Sequence, residues 1–469
     1  MKKYKNIILL MIFLFCFISL FLTTLEYGNL PRGYQFVVFF PIIYGLIVTI
    51  SSNYLFNTDY LVTTFMYLII QAVRFVIMPV ALAFSGDSGQ IAYIHVSEES
   101  LKLASLLMII EFIICTFLLA FVSSKKINKK RFGKPVLTGN ILIYLPFLLG
   151  AGIIYFIFGR EQQLLSFLVI RTNTVDRLGD ITDTSTVFIR QVLIVALTTI
   201  FLLVLVRNAK RYDLSKKERY LNYSLLAAVM MVSIIVGERR TTQIYTAFCC
   251  IYSLSQMFPE RRKKVVQIIG GAGAIVLIFM SIYKFAYAFM YSSYFEALNN
   301  AKFSIGGTTQ MLQSYFSGPQ NVAVAIEFAR HGNFGIFNFI YDMLRSTVPF
   351  NFFVKNNGIL TSNSFNTYIY SGQVMTGHLL SSVGYGYICF KYLFFLMMVF
   401  NLSLSLYCER KMKQSYSIEQ IYLWGYLLMR FAYGVNLSTS SLMNASSIMF
   451  ITGGLLFLVA KTITNKKGI

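Results

Sequence analysis

The chain has 469 residues, of which 56% are hydrophobic and 13% charged. Soluble domains are closer to a quarter charged, so an aqueous fold is excluded and lipid must cover much of the apolar surface. The formal net charge of +22 would suit a nucleic-acid binder, but the basic residues stand in short clusters between apolar runs, which a membrane explains without nucleic acid.

Lys2, Lys3 and Lys5 precede the first apolar run. No small-x-small cleavage site follows and further apolar runs do, so this reads as an uncleaved first span. A membrane helix needs about 20 mostly apolar residues. Twelve segments answer that description: 6–24, 34–50, 60–84, 101–122, 135–158, 187–206, 221–236, 241–257, 265–289, 383–407, 420–435 and 446–460. Basic clusters stand at Lys2/Lys3/Lys5, 125–134, 207–219, 261–264, 410–413 and 461–467. With twelve spans every cluster falls on one side, which the positive-inside rule makes the cytoplasm. Both termini are then cytoplasmic, and 1–469 forms a single integral membrane domain. The expected fold class is an all-α polytopic membrane protein.

The segments on the other side differ in kind. Residues 85–100 carry Asp87, Glu98 and Glu99 and no Lys or Arg. Residues 159–186 mix Arg160, Arg171 and Arg177 with Glu161, Asp176, Asp180 and Asp183. Residues 237–240 read Gly-Glu-Arg-Arg, a tight turn. The largest segment, 290–382, is an extracytoplasmic loop with short amphipathic stretches. Asn338, Asp342 and Arg345 recur on one helical face, with Ile336, Phe339, Ile340 and Met343 on others. Glu327 and Arg330 form an i, i+3 pair in a helix after Pro319. These helices are expected at the membrane surface.

Charges inside apolar spans call for explanation, because each costs about 2.5–3.5 kcal/mol on insertion scales. Arg74, Glu111, Lys284 and Arg430 are such charges. They fit either a polar cavity or structural pairing, with Glu111 neutralising an arginine and Lys284 snorkelling. Arg239 and Arg240 are the sharpest feature, because two adjacent arginines at an outer hairpin tip oppose the inward bias. The planar guanidinium donates paired hydrogen bonds to phosphate, so a pyrophosphate at the outer leaflet is the natural ligand and lipid-headgroup anchoring the bland alternative. His95, His331 and His378 all fall on the outer side, without metal-ligand spacing. A neutral histidine can act as a general base, and His378 stands where the long loop re-enters the bilayer. The six cysteines lie in apolar runs without C-x-x-C spacing and read as small core side chains. No nucleotide-binding pattern occurs in a fitting context. Gly306, Gly307, Gly384 and Gly386 read as turn and packing glycines.

The twelve-span layout, the Gly-Glu-Arg-Arg turn at 237–240 and the segment TVPFNFFVKNNGILTSNSFNTYIYSGQVMTGHLLSSVGYGY from Thr347 resemble the Wzy-type polymerases of O-antigen and capsule repeat units. In that family a Pro-containing stretch leads to a Ser/Gly-rich re-entry and a Gly-aromatic-Gly helix start. Two features depart from the family. Its outer-loop arginine followed at a fixed distance by glycine has no counterpart, and His378 stands near the re-entry where relatives often carry Glu. The resemblance implies a GT-C-like glycosyltransferase of the bacterial cytoplasmic membrane. It would move a glycan from undecaprenyl pyrophosphate to an incoming lipid-linked repeat unit, building O-antigen, capsule or exopolysaccharide without metal or cofactor. Arg239 and Arg240 would hold the pyrophosphate, helped by Arg74 or Arg345, with Arg171 and Arg177 as further substrate-binding residues. His378 or Glu327 would serve as the base. Membrane lipids and a chain-length regulator are the other implied partners. The rivals are a lipid-linked oligosaccharide flippase, which should show two similar halves, and an O-antigen ligase.

Overall fold

A computed structural model describes residues 5–86, 94–127, 133–158, 184–234, 240–288, 304–354, 358–372 and 378–466. Among these the chain is helical, and the isolated bridge between Val136 and Ser417 is its sole β feature. The helices are α1 (Lys5–Leu25), α2 (Phe40–Leu55), α3 (Leu61–Ser85), α4 (Glu98–Ser123), α5 (Ile141–Phe158), α6 (Thr184–Ser215), α7 (Glu218–Ser233), α8 (Arg240–Met257) and α9 (Arg262–Ala288). Then follow α10 (Ile305–Tyr315), α11 (Pro319–His331), α12 (Ile336–Ser346), α13 (Thr361–Ile369), α14 (Ser382–Phe390), α15 (Leu396–Gln414), α16 (Ile418–Ala432) and α17 (Thr439–Lys466).

Helix forms at every one of the twelve expected segments. Among the described residues, seven helices are long and apolar enough to cross a membrane, and a bent pair makes an eighth. The chain is a polytopic membrane protein. The segment at 383–407 is not one straight span, as the sequence suggests. The α14 helix and the turn after it meet α15 at 118°. Two residues enforce the fold-back. Lys391 takes a positive φ of 51°. A Cβ on Gly386 would stand 2.0 Å from the Phe394 carbonyl oxygen, so no larger residue lets the two arms approach.

Two compact units make up the chain, the first being 1–127, 303–409 and 430–444. Its core is built on ring contacts, Phe40 to Phe75 at 4.6 Å and Phe75 to Phe112 at 4.9 Å between centroids. Beside them the α3 helix widens into a π-turn at Val73–Ile77. Pro79 has no N–H to return to the Phe75 carbonyl, and the Ser19 hydroxyl donates to the neighbouring Val76 carbonyl at 2.6 Å. The α11 helix corrects the expectation of a surface position, because Val322, Ala323, Val324, Ala325 and Ile326 are all fully buried. Small residues permit this. A Cβ added at Gly384 would sit 2.6 Å from the Ala325 Cβ, so the Gly384 backbone of α14 packs directly on the Ala325 methyl of α11.

The second unit is 128–302, 410–429 and 445–469. Tyr245 meets Tyr426 edge to face at 5.8 Å, and Phe201 meets Tyr422 at 6.2 Å. The buried Glu419 carboxylate accepts from Thr138 N at 2.9 Å, Gly139 N at 2.8 Å, Tyr144 hydroxyl at 3.0 Å and Ser417 hydroxyl at 2.6 Å. These donors satisfy a charge that burial would otherwise penalise.

Candidate functional site

The candidate site lies in the first unit, where α10 faces the segment leading into α14. Ser304 caps α10 by accepting from Gly307 N at 3.0 Å. One side of the helix then presents Gln310, Met311, Ser314 and Tyr315, which with His378 and Leu379 line a cavity of about 250 Å³. The lining offers an amide, two hydroxyls, an imidazole and an aromatic ring, but no charged group. That set suits a neutral, polyhydroxylated ligand, whose hydroxyls pair with amides and whose ring faces stack on aromatics.

His378 is held from three sides. Its backbone N–H donates to Asn366 Oδ1 at 2.9 Å, and Asn366 Nδ2 donates back to the His378 carbonyl at 3.2 Å. Asn321, from α11, donates through Nδ2 to the Leu379 carbonyl at 2.8 Å. That bond fixes the amide orientation, because a flipped amide would set two oxygens against each other. The same Nδ2 stands 3.2 Å from His378 Nε2, which must therefore accept. The neutral ring then carries its proton on Nδ1. Burial pushes the imidazole down from 6.5 to about 4. His378 is thus uncharged at neutral pH, with the basicity of a carboxylate.

Glu327 is elsewhere and otherwise engaged. It lies six residues beyond Asn321 on α11, about 9 Å along the axis. Its Oε1 accepts from Ser97 N at 3.2 Å and from the Ser97 hydroxyl at 2.6 Å, which caps the start of α4. Burial opposes its ionisation, but the Ser97 and Ser100 hydrogen bonds, with Arg330, outweigh that and hold the carboxyl below its ordinary range. The expected Glu327–Arg330 pair is present at 3.7 Å. His331 is a capping group as well, its Nδ1 lying 2.8 Å from the Glu327 carbonyl, while His95 is exposed.

The arginines separate in the same way. Arg74 is fully buried and its Nη1 meets Glu111 Oε2 at 2.9 Å, an ion pair supported by Gln71 at 3.1 Å. This is the structural pairing, and beside it Arg74 Nε and Nη2 and Glu111 Oε1 are buried without a hydrogen-bond partner. Arg430 donates to the Leu442 and Ser441 carbonyls at 3.3 and 3.0 Å. Arg345 is half-buried on the polar face of α12. On that face the buried Asp342 accepts from the Tyr385 hydroxyl at 2.8 Å and from Thr361 N at 3.1 Å, where α13 starts. Burial raises the Asp342 carboxyl against these two partners. Arg240 opens α8, and Arg171, Arg177 and Arg239 lie outside the described residues, as does the side chain of Arg240.

Asn321 and Asn366, which orient His378, gave no signal in sequence, since neither stands at a motif spacing from it. Among the described residues no cluster of three His, Cys, Asp or Glu side chains could hold a metal ion. No protein-family model, curated protein or solved structure matches the chain.

Proposed function

We propose that the protein is a twelve-span, GT-C-like polymerase of lipid-linked repeat units, with cytoplasmic termini and its chemistry at the outer face of a bacterial cytoplasmic membrane. The observation that carries the reading is the uncharged, hydroxyl- and amide-lined cavity beside a neutral histidine at the loop's re-entry. The acceptor sugar occupies that cavity. Its hydroxyl oxygen attacks the anomeric carbon of a glycan on undecaprenyl pyrophosphate. The C–O bond to phosphate breaks, and the pyrophosphate leaves with the electron pair. Neutralising its growing charge is the largest demand of such a transfer, and Arg239 and Arg240 are the cations that the family resemblance assigns to it.

The hydroxyl proton goes to His378 rather than to Glu327, whose carboxylate is occupied at the start of α4. Nε2 is reached when the acceptor displaces the long Asn321 contact. A base of pKa about 4 suffices, because the glycosyl transition state resembles an oxocarbenium ion and proton transfer is late. This gives His378 the function that the Glu of related polymerases would have.

The test is Arg239→Ala and Arg240→Ala in cells, each checked for membrane insertion. Single repeat units should accumulate on lipid and long chains should vanish. Normal chain length in both variants would remove the phosphate clamp. Repeat units stranded on the cytoplasmic side after gene deletion would favour a flippase instead.

A further inference from the structure

The α12 helix is folded inside out for a protein in water. Ile336, Phe337, Ile340 and Leu344 fall within about 100° of arc on one face. All four are exposed, Phe337 at 83%. The opposite face, with Asn338, Asp342, Arg345 and Ser346, is turned into the protein, where Tyr385 and Thr361 hold Asp342. The polar side is therefore locked inward and the apolar side has been left outward. The surface continues through the next turn. Phe350 is 52%, Phe352 77%, Phe353 83% and Ile359 72% exposed. Tyr341 ties this turn to α12, its hydroxyl donating to the Gly358 carbonyl at 2.9 Å and accepting from Gly358 N at 3.1 Å.

We infer that residues 336–354, with 358 and 359, form an interfacial foot that lies in the plane of the bilayer, with Phe337, Ile340, Leu344, Phe352 and Phe353 sunk among the acyl chains. The occupant of this face is lipid rather than protein. Three observations favour that choice. The exposed side chains of the patch are aromatic and aliphatic and offer a protein partner no hydrogen-bonding group. The α12 helix rests on α14, with Phe339 meeting Phe390 at 5.1 Å between ring centroids. That α14 helix and α15 are a bent pair apolar enough to enter the membrane. The inference is independent of the polymerase reading and holds for any activity.

The test uses the full-length protein in vesicles of phosphatidylcholine and phosphatidylglycerol. The six native cysteines are all buried, so Phe337→Cys and, separately, Phe353→Cys can be spin-labelled selectively. The exposed Asn333→Cys serves as an aqueous reference. Labels at 337 and 353 should relax strongly with oxygen and lose most of their sensitivity to a water-soluble nickel chelate, whereas the label at 333 should keep it. Should Phe337→Cys fail to insert, tryptophan emission of Phe353→Trp, taken as a difference from the parent with its Trp424, should be quenched by lipids brominated on the acyl chain and not by iodide. Chelate access at both positions, iodide quenching at 353, or dipolar broadening from a second copy would overturn the proposal.

Discussion

Helices α11 and α12 follow one another in the same loop, are of similar length and have opposite fates. The α11 helix is buried on every side from Pro319 to Ile326, Gln320 and Asn321 included, and emerges only at Arg330 and His331. The α12 helix keeps its polar face in and its apolar face out. The difference lies in side-chain size and in available partners. Alanine and valine let α11 lie directly on α14 and α4. On α12 Phe337 finds no cover in the protein, while Phe339 packs on Phe390 and Asp342 finds two donors inside. Among helices of a membrane protein, burial follows volume and hydrogen-bond supply, and apolar character alone does not decide it.

Phe328→Ala breaks the comparison at its strongest point. The ring sits among Phe334, Phe365 and Tyr368 at 4.5, 5.6 and 5.3 Å, so its loss should cost about 3–5 kcal/mol, read as a lower unfolding temperature in detergent. Asp342→Ala should cost about 1–3 kcal/mol, because the Tyr385 hydroxyl and Thr361 N are left without their acceptor. Glu327→Gln keeps an oxygen for Ser97, so stability should fall by about 1 kcal/mol or less and chain extension should continue. Complete loss of extension with normal folding would restore Glu327 as a base. Phe337→Ala should change stability in detergent by no more than about 0.5 kcal/mol, since nothing in the protein covers the ring.

A pH profile sharpens the site itself. His378 has its folded value near 4, below the ordinary 6.5, so the neutral form persists as pH falls through 6 and 5. The acid limb of chain extension should lie near pH 4, and a limb near 6.5 would mean an exposed imidazole.

Much of the fold was legible. Every expected span has a helix, because runs of apolar residues between basic clusters leave few alternatives. The bend at 383–407 was not, since it depends on Gly386 meeting a carbonyl eight residues on and on a positive φ at Lys391, neither of which alters hydropathy. The anchoring contacts of the acids were not legible, for a common reason. Glu327, Asp342 and Glu409 each accept from backbone N–H groups at the start of another helix, Glu409 from Val62 and Thr63 at 3.1 and 2.9 Å. Such long-range capping satisfies helix dipoles inside a low-dielectric protein and has no local sequence signature. The place of His378 at the re-entry is readable in sequence, but its contacts with Asn321 and Asn366 are not.

The most direct measurement is chain growth in proteoliposomes holding purified protein and undecaprenyl-pyrophosphate-linked repeat units, with no nucleotide sugar added. The account predicts a ladder of lengthened glycans with the native protein and none with His378→Ala. Repeat units that cross the bilayer without lengthening would contradict it.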